Sequence, residues 1–255
     1  MCLILFAWLS HPQHKLLVAA NRDEFYARPT APAHFWNDTP HILAGRDLEQ
    51  GGTWLGVTTS SRFAALTNVR NLQAPLGTLS RGLLVSDFLN SDATPEQFLQ
   101  QLQPELSNYS PFNILLGDNE HLYYGNSAGD ARELQPGIYG LSNAALDTPW
   151  PKVAAGKQAL LKLMAYEPDI EQLFELLADN NQANDTELPD TGVGIALEKQ
   201  LSPRFINFDT YGTRCSTVLM QSHSGEIIFL EKQFDDKGKE AQTCNYKLKP
   251  NCESC

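Results

Sequence analysis

A cysteine stands at the second position of the chain, directly after the initiator methionine. Its side chain is small enough for Met1 to be removed, which would leave a thiol and a free α-amine on the same residue. The reference pKa values of these groups are about 8.5 and about 8, so the amine can accept the thiol proton near neutral pH. We therefore predict that Cys2 is a nucleophile that needs no histidine. The alternative is a small buried hydrophobic residue.

Polar residues end the second predicted strand, which is expected to pair with the strand of Cys2. They are Asn21, Arg22, Asp23 and Glu24. A carboxylate at this place can hold the α-amine by a charge-assisted hydrogen bond, and we expect Asp23 to do so. Strict alternation along the strand is expected to turn Arg22 away from Cys2. The alternative for Arg22 and Glu24 is an ion pair on the surface.

Short strands and paired helices are predicted to carry these residues. Hairpins are predicted at 2–20, 54–67, 113–125 and 216–231, and single strands at 137–141 and 204–208. Helices are predicted at 80–90, from residue 94, at 151–165 and at 169–177. A proline-rich loop is predicted at 28–40. This order predicts an α+β fold in which two antiparallel sheets have helices outside them. Residues 1–234 are expected to form one domain, and residues 235–255 a polar, flexible tail.

The composition excludes several classes of partner. The formal charge of −11, without a long basic block, opposes binding to nucleic acid. The apolar start at residues 2–9 is shorter than the roughly 20 residues of a membrane span, and no basic segment precedes it, so neither a span nor a signal peptide is expected. Five cysteines, an odd number, favour a reducing compartment, and the cytoplasm is the expected location.

Six sequence motifs together resemble one known family. They are Met1-Cys2, residues 20–25 with Arg28-Pro29, the Gly-Gly-Thr-Trp-Leu-Gly run at 51–56, residues 65–70, residues 140–152, and Tyr-Gly-Thr-Arg-Cys-Ser-Thr-Val at 211–218. They look like the signatures of the NRDE family, the relatives of transport and Golgi organisation protein 2. That family is in turn similar to the acylase and acyltransferase branch of the N-terminal-nucleophile hydrolases. This resemblance implies a four-layer αββα sandwich.

The resemblance also implies roles for single residues. Cys2 matches the nucleophile, Asp23 the carboxylate that holds the α-amine, Asn68 and Asn143 the amides of the oxyanion site, and Arg214 the late arginine of the site. An asparagine can instead simply satisfy a turn, and Arg214 can instead pair with Asp209. One position departs from the acylase pattern, because Ala20 stands where that branch has an arginine.

Weaker signals complete the sequence prediction. Asn21, Arg22 and Trp54 are candidate binding residues, although a tryptophan after glycines more often packs in a core. His11 and His14 share a turn without an evident third ligand, so no metal is expected. Cys244, Cys252 and Cys255 have metal-like spacing but lack a fourth ligand, and we interpret them as exposed thiols of the tail.

These observations favour a hydrolase or acyltransferase in which Cys2 attacks an acyl or amide carbonyl of a small molecule. No cofactor is expected. The alternative belongs to another class, a non-catalytic carrier of haem or a lipid-like ligand, because relatives of the resembled family are linked to Golgi organisation and haem trafficking.

Overall fold

The computed structural model describes residues 2–249, which form two antiparallel sheets of seven strands each. The strands are β1 (Cys2–Trp8), β2 (His14–Phe25), β3 (Thr30–Phe35), β4 (Ile42–Asp47), β5 (Leu55–Thr58), β6 (Phe63–Asn68), β7 (Phe112–Gly117), β8 (Leu122–Asn126), β9 (Ala131–Glu133), β10 (Gly137–Leu141), β11 (Asn207–Phe208), β12 (Tyr211–Ser222), β13 (Ile227–Phe234) and β14 (Glu240–Leu248). Sheet I has the order β10-β1-β2-β12-β13-β14, with β11 beside β12. Sheet II runs from β3 to β9 in chain order.

Residues 2–249 contain five α-helices: α1 (Arg81–Leu89), α2 (Pro95–Leu102), α3 (Pro151–Leu163), α4 (Ile170–Leu177) and α5 (Ile195–Gln200). Helices α1 and α2 pack on sheet II, while α3 and α4 pack on sheet I. The predicted four-layer αββα arrangement is therefore confirmed. Within residues 2–249, no helix has both the length and the apolar character that a membrane span needs.

The first hairpin is apolar on both faces because each face meets a different layer. Ile4 and Phe6 pack between the two sheets, whereas Leu3 and Leu5 pack against the helices on sheet I. Side chains alternate across a strand, so an uninterrupted apolar run is what a strand covered on both sides requires. The hairpin that carries Cys2 is thus anchored in two cores.

Helix starts follow the signals in the sequence. Thr94 and Gln97 form a capping box at the first turn of α2, and the Asp169 side chain accepts the backbone N–H of Glu171 at the start of α4. Pro151 occupies the first turn of α3, where its missing N–H breaks no helical hydrogen bond. The predicted helices are present with ends within two residues.

Two local predictions were wrong. The proline-rich stretch at 28–40 contains β3, which is the edge strand of sheet II and has a register shift between Ala31 and His34. Pro32 lies within that shift, where an edge strand tolerates the missing N–H. The strand predicted at 204–208 is only the two-residue β11.

Part of the segment that was expected to be a flexible tail forms strand β14. Strand β14 pairs with β13 over most of its length, and Cys244 is buried in the core between the sheets. The sequence of β14 is polar because one face of this edge strand is exposed. The domain therefore extends to at least Leu248, and Cys244 is not an exposed thiol. Cys252 and Cys255 lie outside the described residues.

Candidate functional site

A cleft of about 300 Å³ opens where β1 begins, with walls from both sheets and from the start of α1. This volume is at the lower end of the roughly 300–1,000 Å³ of small-molecule sites. Five of the residues singled out from the sequence line it: Cys2, Arg22, Asp23, Trp54 and Asn68. Asn21, Asn143 and Arg214 are not part of its lining. The cleft is therefore the candidate active site.

Cys2 and Arg22 are directly paired across β1 and β2. Directly paired residues leave an antiparallel sheet on the same face, so Arg22 shares the face of Cys2. The expectation that alternation turns Arg22 away was wrong, because the register of the hairpin pairs residues of the same parity. Arg22 also does not pair with Glu24. Instead its guanidinium lies 4.3 Å from the ring centre of Trp54.

A neighbouring side chain holds the backbone of Cys2. The Ser142 hydroxyl donates to the Cys2 carbonyl at 3.0 Å. Desolvation by burial raises the pKa of the Cys2 thiol, while the positive charge of Arg22 opposes that rise. The thiol therefore needs a base to become a good nucleophile.

Asp23 is buried at the end of this hairpin. The Thr213 hydroxyl donates to Oδ1 of Asp23 at 2.8 Å, and the Tyr211 hydroxyl donates to its backbone carbonyl at 2.9 Å. Burial raises the pKa of the Asp23 carboxyl, and the strongest opposing effect is the charge of Lys152. The neighbouring β12 thus fixes the carboxylate, as a positioning group requires.

Lys152 is a functional candidate that the sequence prediction missed. It is buried in the first turn of α3, and its ammonium donates to the Leu201 carbonyl at 3.2 Å. Desolvation by burial lowers the pKa of Lys152, and the charge of Asp23 raises it. Its position in the Trp150-Pro151-Lys152 motif was visible in the sequence. The fold was needed to bring it near Asp23.

The two asparagines occupy different places. Asn68 ends β6 in the cleft wall, and its backbone carbonyl accepts the side-chain N–H of Asn143 at 2.8 Å. Asn143 is only 1% exposed, and its Oδ1 accepts the Ser142 hydroxyl at 3.2 Å. Asn143 therefore connects Asn68, in the cleft wall, to Ser142, which holds the backbone of Cys2. Asn68 is the better placed of the two to face a substrate.

Arg214 lies at a β-bulge between Thr213 and Cys215, and it is not among the residues that line the cleft. One of its terminal nitrogens donates to the carbonyls of Phe25, Tyr26 and Arg28. It therefore holds the loop after β2 and forms no ion pair with Asp209.

Asn21 is enclosed on the helix side of sheet I. Its amide donates to the carbonyls of Leu177 and Arg204, and its oxygen accepts the Ser216 hydroxyl. All of these contacts are internal, so Asn21 is a structural residue of the layer between sheet I and its helices.

The histidine turn is remote from the cleft. Ligand atoms of His11, His14 and Glu167 lie within 4.8 Å of one another, so the fold supplies a third group that the sequence did not reveal. Both ring nitrogens of His11 are already engaged, Nδ1 by the backbone N–H groups of Gln13 and His14 and Nε2 by the Tyr166 carbonyl. His11, His14 and Glu167 therefore connect the turn between β1 and β2 to the segment between α3 and α4.

A family model described as Transport and Golgi organisation 2 matches residues 1–236. The chain belongs to the Transport and Golgi organisation 2 family. The NRDE family is this same family. A Mus musculus protein named Transport and Golgi organization 2 homolog is 36% identical, covering 93% of this chain and 94% of its own length. The Drosophila melanogaster protein Transport and Golgi organization protein 2 is 30% identical, covering 91% of this chain and 92% of its own length.

Solved structures outside the Transport and Golgi organisation 2 family are more distant. A Caenorhabditis elegans N-acylethanolamine-hydrolyzing acid amidase ortholog has a TM-score of 0.49 and 13% identity, covering 86% of this chain and 92% of its own. An Anbu mutant from Hyphomicrobium has a TM-score of 0.40 and 12% identity, covering 99% of this chain and 89% of its own. Likenesses at this level carry no argument about activity.

Proposed function

We propose that this protein is a cysteine amidohydrolase or acyltransferase whose nucleophile is Cys2, exposed as the first residue by removal of Met1. One observation carries the proposal: Cys2 lines a cleft together with the buried Asp23, and the cationic Arg22 shares the face of Cys2. A thiol, a cation and a buried carboxylate within one hairpin are a chemically sufficient set for acyl transfer.

The first half-reaction forms a thioester. The α-amine of Cys2 takes the thiol proton while the sulfur attacks the acyl carbon, and the carbonyl oxygen becomes an oxyanion. The side-chain N–H of Asn68 is our candidate donor to that oxyanion. The ammonium then gives its proton to the departing nitrogen as the C–N bond breaks. This leaves the acyl group on Cys2 and releases an amine.

The second half-reaction restores the thiol. A water molecule attacks the thioester while the α-amine takes one of its protons, and that proton returns to the sulfur as the C–S bond breaks. A carboxylic acid leaves. An alcohol or amine in place of water makes the reaction an acyl transfer.

We assign to Asp23 the role of orienting the α-amine of Cys2. Its carboxylate is one residue beyond Arg22, so it lies next to the start of β1 where that amine would be. The charge of Lys152 opposes the rise that burial causes in the pKa of this carboxyl, and so favours its ionised form. We also propose a cytoplasmic location, because a reducing compartment keeps thiols from forming disulfides.

The cleft chemistry favours the enzyme over a carrier of haem or a lipid-like ligand. Three arginines and three carboxylates line the cleft: Arg22, Arg28, Arg81, Asp23, Glu24 and Asp47. Such walls suit a polar substrate, whereas a carrier of an apolar ligand needs mainly apolar walls. None of the described histidines is part of this lining, so the cleft offers no imidazole to a haem iron.

Burst kinetics test the proposal. With p-nitrophenyl hexanoate, the mature protein is expected to release about one equivalent of p-nitrophenol rapidly as the thioester forms, followed by slower turnover. Cys2→Ala should abolish the burst, while Cys244→Ala, whose thiol lies in the core between the sheets, should keep it. An unchanged burst in Cys2→Ala would end the enzyme proposal.

A further inference from the structure

The guanidinium of Arg22 has no ionic partner in the cleft. The residue is 6% exposed, and within residues 2–249 its side chain makes no hydrogen bond or ion pair. Its guanidinium lies over the face of Trp54, and among the described residues the buried Nη1 is without an acceptor. An enclosed charged donor without an acceptor is unfavourable by several kcal/mol on general grounds. A ligand that brings an anionic oxygen would remove this penalty.

A second arginine faces the same cleft. Arg81 donates to the Pro111 carbonyl at 3.0 Å, and among residues 2–249 no carboxylate lies within the 4.0 Å of an ion pair. Arg81 also begins α1, whose first turn contains no acidic residue, and the side chain of Ser80 does not cap it. Helix starts carry partial positive charge and free N–H groups, so they favour anions.

Within residues 2–249, the carboxylates of the cleft form no ion pair with Arg22 or Arg81, although Asp23 and Glu24 act on these arginines through their charges. Asp47 pairs with Arg28 at 2.6 Å, and Oε1 of Glu24 accepts a backbone N–H from the next residue. Asp23 accepts from Thr213 and is subject to the charge of Lys152, as described above. Arg22, Arg81 and the start of α1 therefore form a region of unpaired positive charge beside the nucleophile. We call these three features the cationic corner.

We propose that the cationic corner binds an acidic group on the leaving amine, so that the substrates are acyl amides of acidic amines. This inference rests on the proposed function and names its substrate class. The distance suits such a molecule, because directly paired residues have Cβ atoms about 4.5–5.5 Å apart. In an N-acylated α-amino acid, the carboxylate carbon is two bonds from the amide nitrogen. The carbonyl can therefore face Cys2 while the carboxylate meets Arg22.

Binding to the Cys2→Ala variant separates recognition from chemistry. The probes are N-hexanoylglycine, its neutral carboxamide N-hexanoylglycinamide, and N-hexanoylaminomethylphosphonate. Calorimetric titration is expected to show the acids binding about 10- to 100-fold more tightly than the carboxamide, the range of a charge-assisted hydrogen bond. The ratio between carboxylate and phosphonate identifies which acidic group the corner prefers.

Arginine variants, made in the Cys2→Ala background, assign the preference to the corner. Arg22→Gln should reduce the ratio of acid to carboxamide affinity to near one, and Arg22→Lys should restore part of it. Arg132→Gln is the matched control, because this exposed arginine lies on β9 outside the cleft and should leave the ratio unchanged. Circular dichroism verifies that each variant is folded.

Two different results would overturn two different claims. Equal affinity for N-hexanoylglycine and its carboxamide, or a preference that survives Arg22→Gln in a folded protein, contradicts the cationic corner. A burst that survives Cys2→Ala contradicts the enzyme proposal, whatever the binding ratios are. The experiments can therefore disprove the proposed substrate class without disproving the role of Cys2 as nucleophile, and the reverse.

Discussion

Cys2 and Arg22 face each other across β1 and β2, and their side chains share the space between the two sheets. The same register puts Asp23 just beyond the start of β1. A single hairpin therefore carries the sulfur of Cys2, the guanidinium of Arg22 beside it, and the carboxylate of Asp23 next to the backbone of Cys2.

Lys152 is predicted to determine the pH below which kcat/KM falls. Its charge lowers the pKa of the Asp23 carboxyl against the effect of burial, so Lys152→Met should raise that pKa further. If Asp23 must be ionised to orient the α-amine, the acidic limb of the kcat/KM profile moves to higher pH. Hydrolysis rates of p-nitrophenyl hexanoate across pH measure the shift.

The control for that prediction lies on the same helix. Lys157 pairs with Asp147 at the surface of α3 and is outside the cleft, so Lys157→Met should leave the acidic limb unchanged. If the acidic limb of Lys152→Met does not move, the charge of Lys152 does not control the ionisation of Asp23 during the reaction.

The two asparagines should give opposite signatures. Asn68→Ala is expected to lower kcat by about 10²- to 10³-fold, the effect of losing one oxyanion donor, with little change in stability. Asn143→Ala should instead lower the free energy of unfolding by about 1–3 kcal/mol, because it leaves the part-buried Asn68 carbonyl without its donor. Single-turnover kinetics and urea denaturation measure the two quantities, and the reverse assignment would contradict the described geometry.

A buried ion pair lies near Lys152. Arg70 and Glu198 form a salt bridge with side chains only 7% and 3% exposed, and Glu198 also accepts from Thr191. Removing one member leaves an enclosed charge, so Glu198→Ala should destabilise the protein by about 3–5 kcal/mol. The double variant Arg70→Met with Glu198→Leu should lose less than the sum of the single changes. Additive losses in urea denaturation would show that the two charges are not coupled.

Gly52 permits the close approach of the β4–β5 loop to the first turn of α1. A Cβ at this position would be 2.3 Å from the carbonyl carbon of Gly82, a backbone atom that cannot move aside. Gly52→Ala should therefore cost about 1–3 kcal/mol and displace the start of α1 from the cleft.

The matched change is Gly117→Ala, whose nearest neighbour is a side-chain methyl group of Leu122 at 3.1 Å. It should cost no more than about 1 kcal/mol. Thermal unfolding measures both variants. Equal losses would mean that the contact between Gly52 and Gly82 is not tight in solution.

The sequence predicted the layers well because its periodic signals are local. The apolar runs of β1 and β2 and the capping residues Thr94 and Asp169 determine elements within their own neighbourhood. The face of Arg22 was predicted wrongly because it depends on the hairpin register. That register is set by the turn after β1, which begins at Leu9 with a φ of 46°.

Long-range contacts explain the other differences. Lys152 acts on Asp23 only because α3 packs on sheet I, and nothing near position 152 in the chain indicates that partner. Arg214 was expected in the site, but a β-bulge on β12 directs it to the loop after β2. The polar sequence of β14 gave no sign of a strand because β14 is an edge strand with one exposed face.

Intact mass spectrometry of the purified protein, before and after p-nitrophenyl hexanoate, tests the central claim most directly. The account predicts a chain shorter by its first methionine that gains one hexanoyl group, which peptide mapping assigns to the sulfur of Cys2. Retention of Met1, or an acyl group mapped to Cys215, Cys244 or another residue while Cys2 stays unmodified, would contradict it.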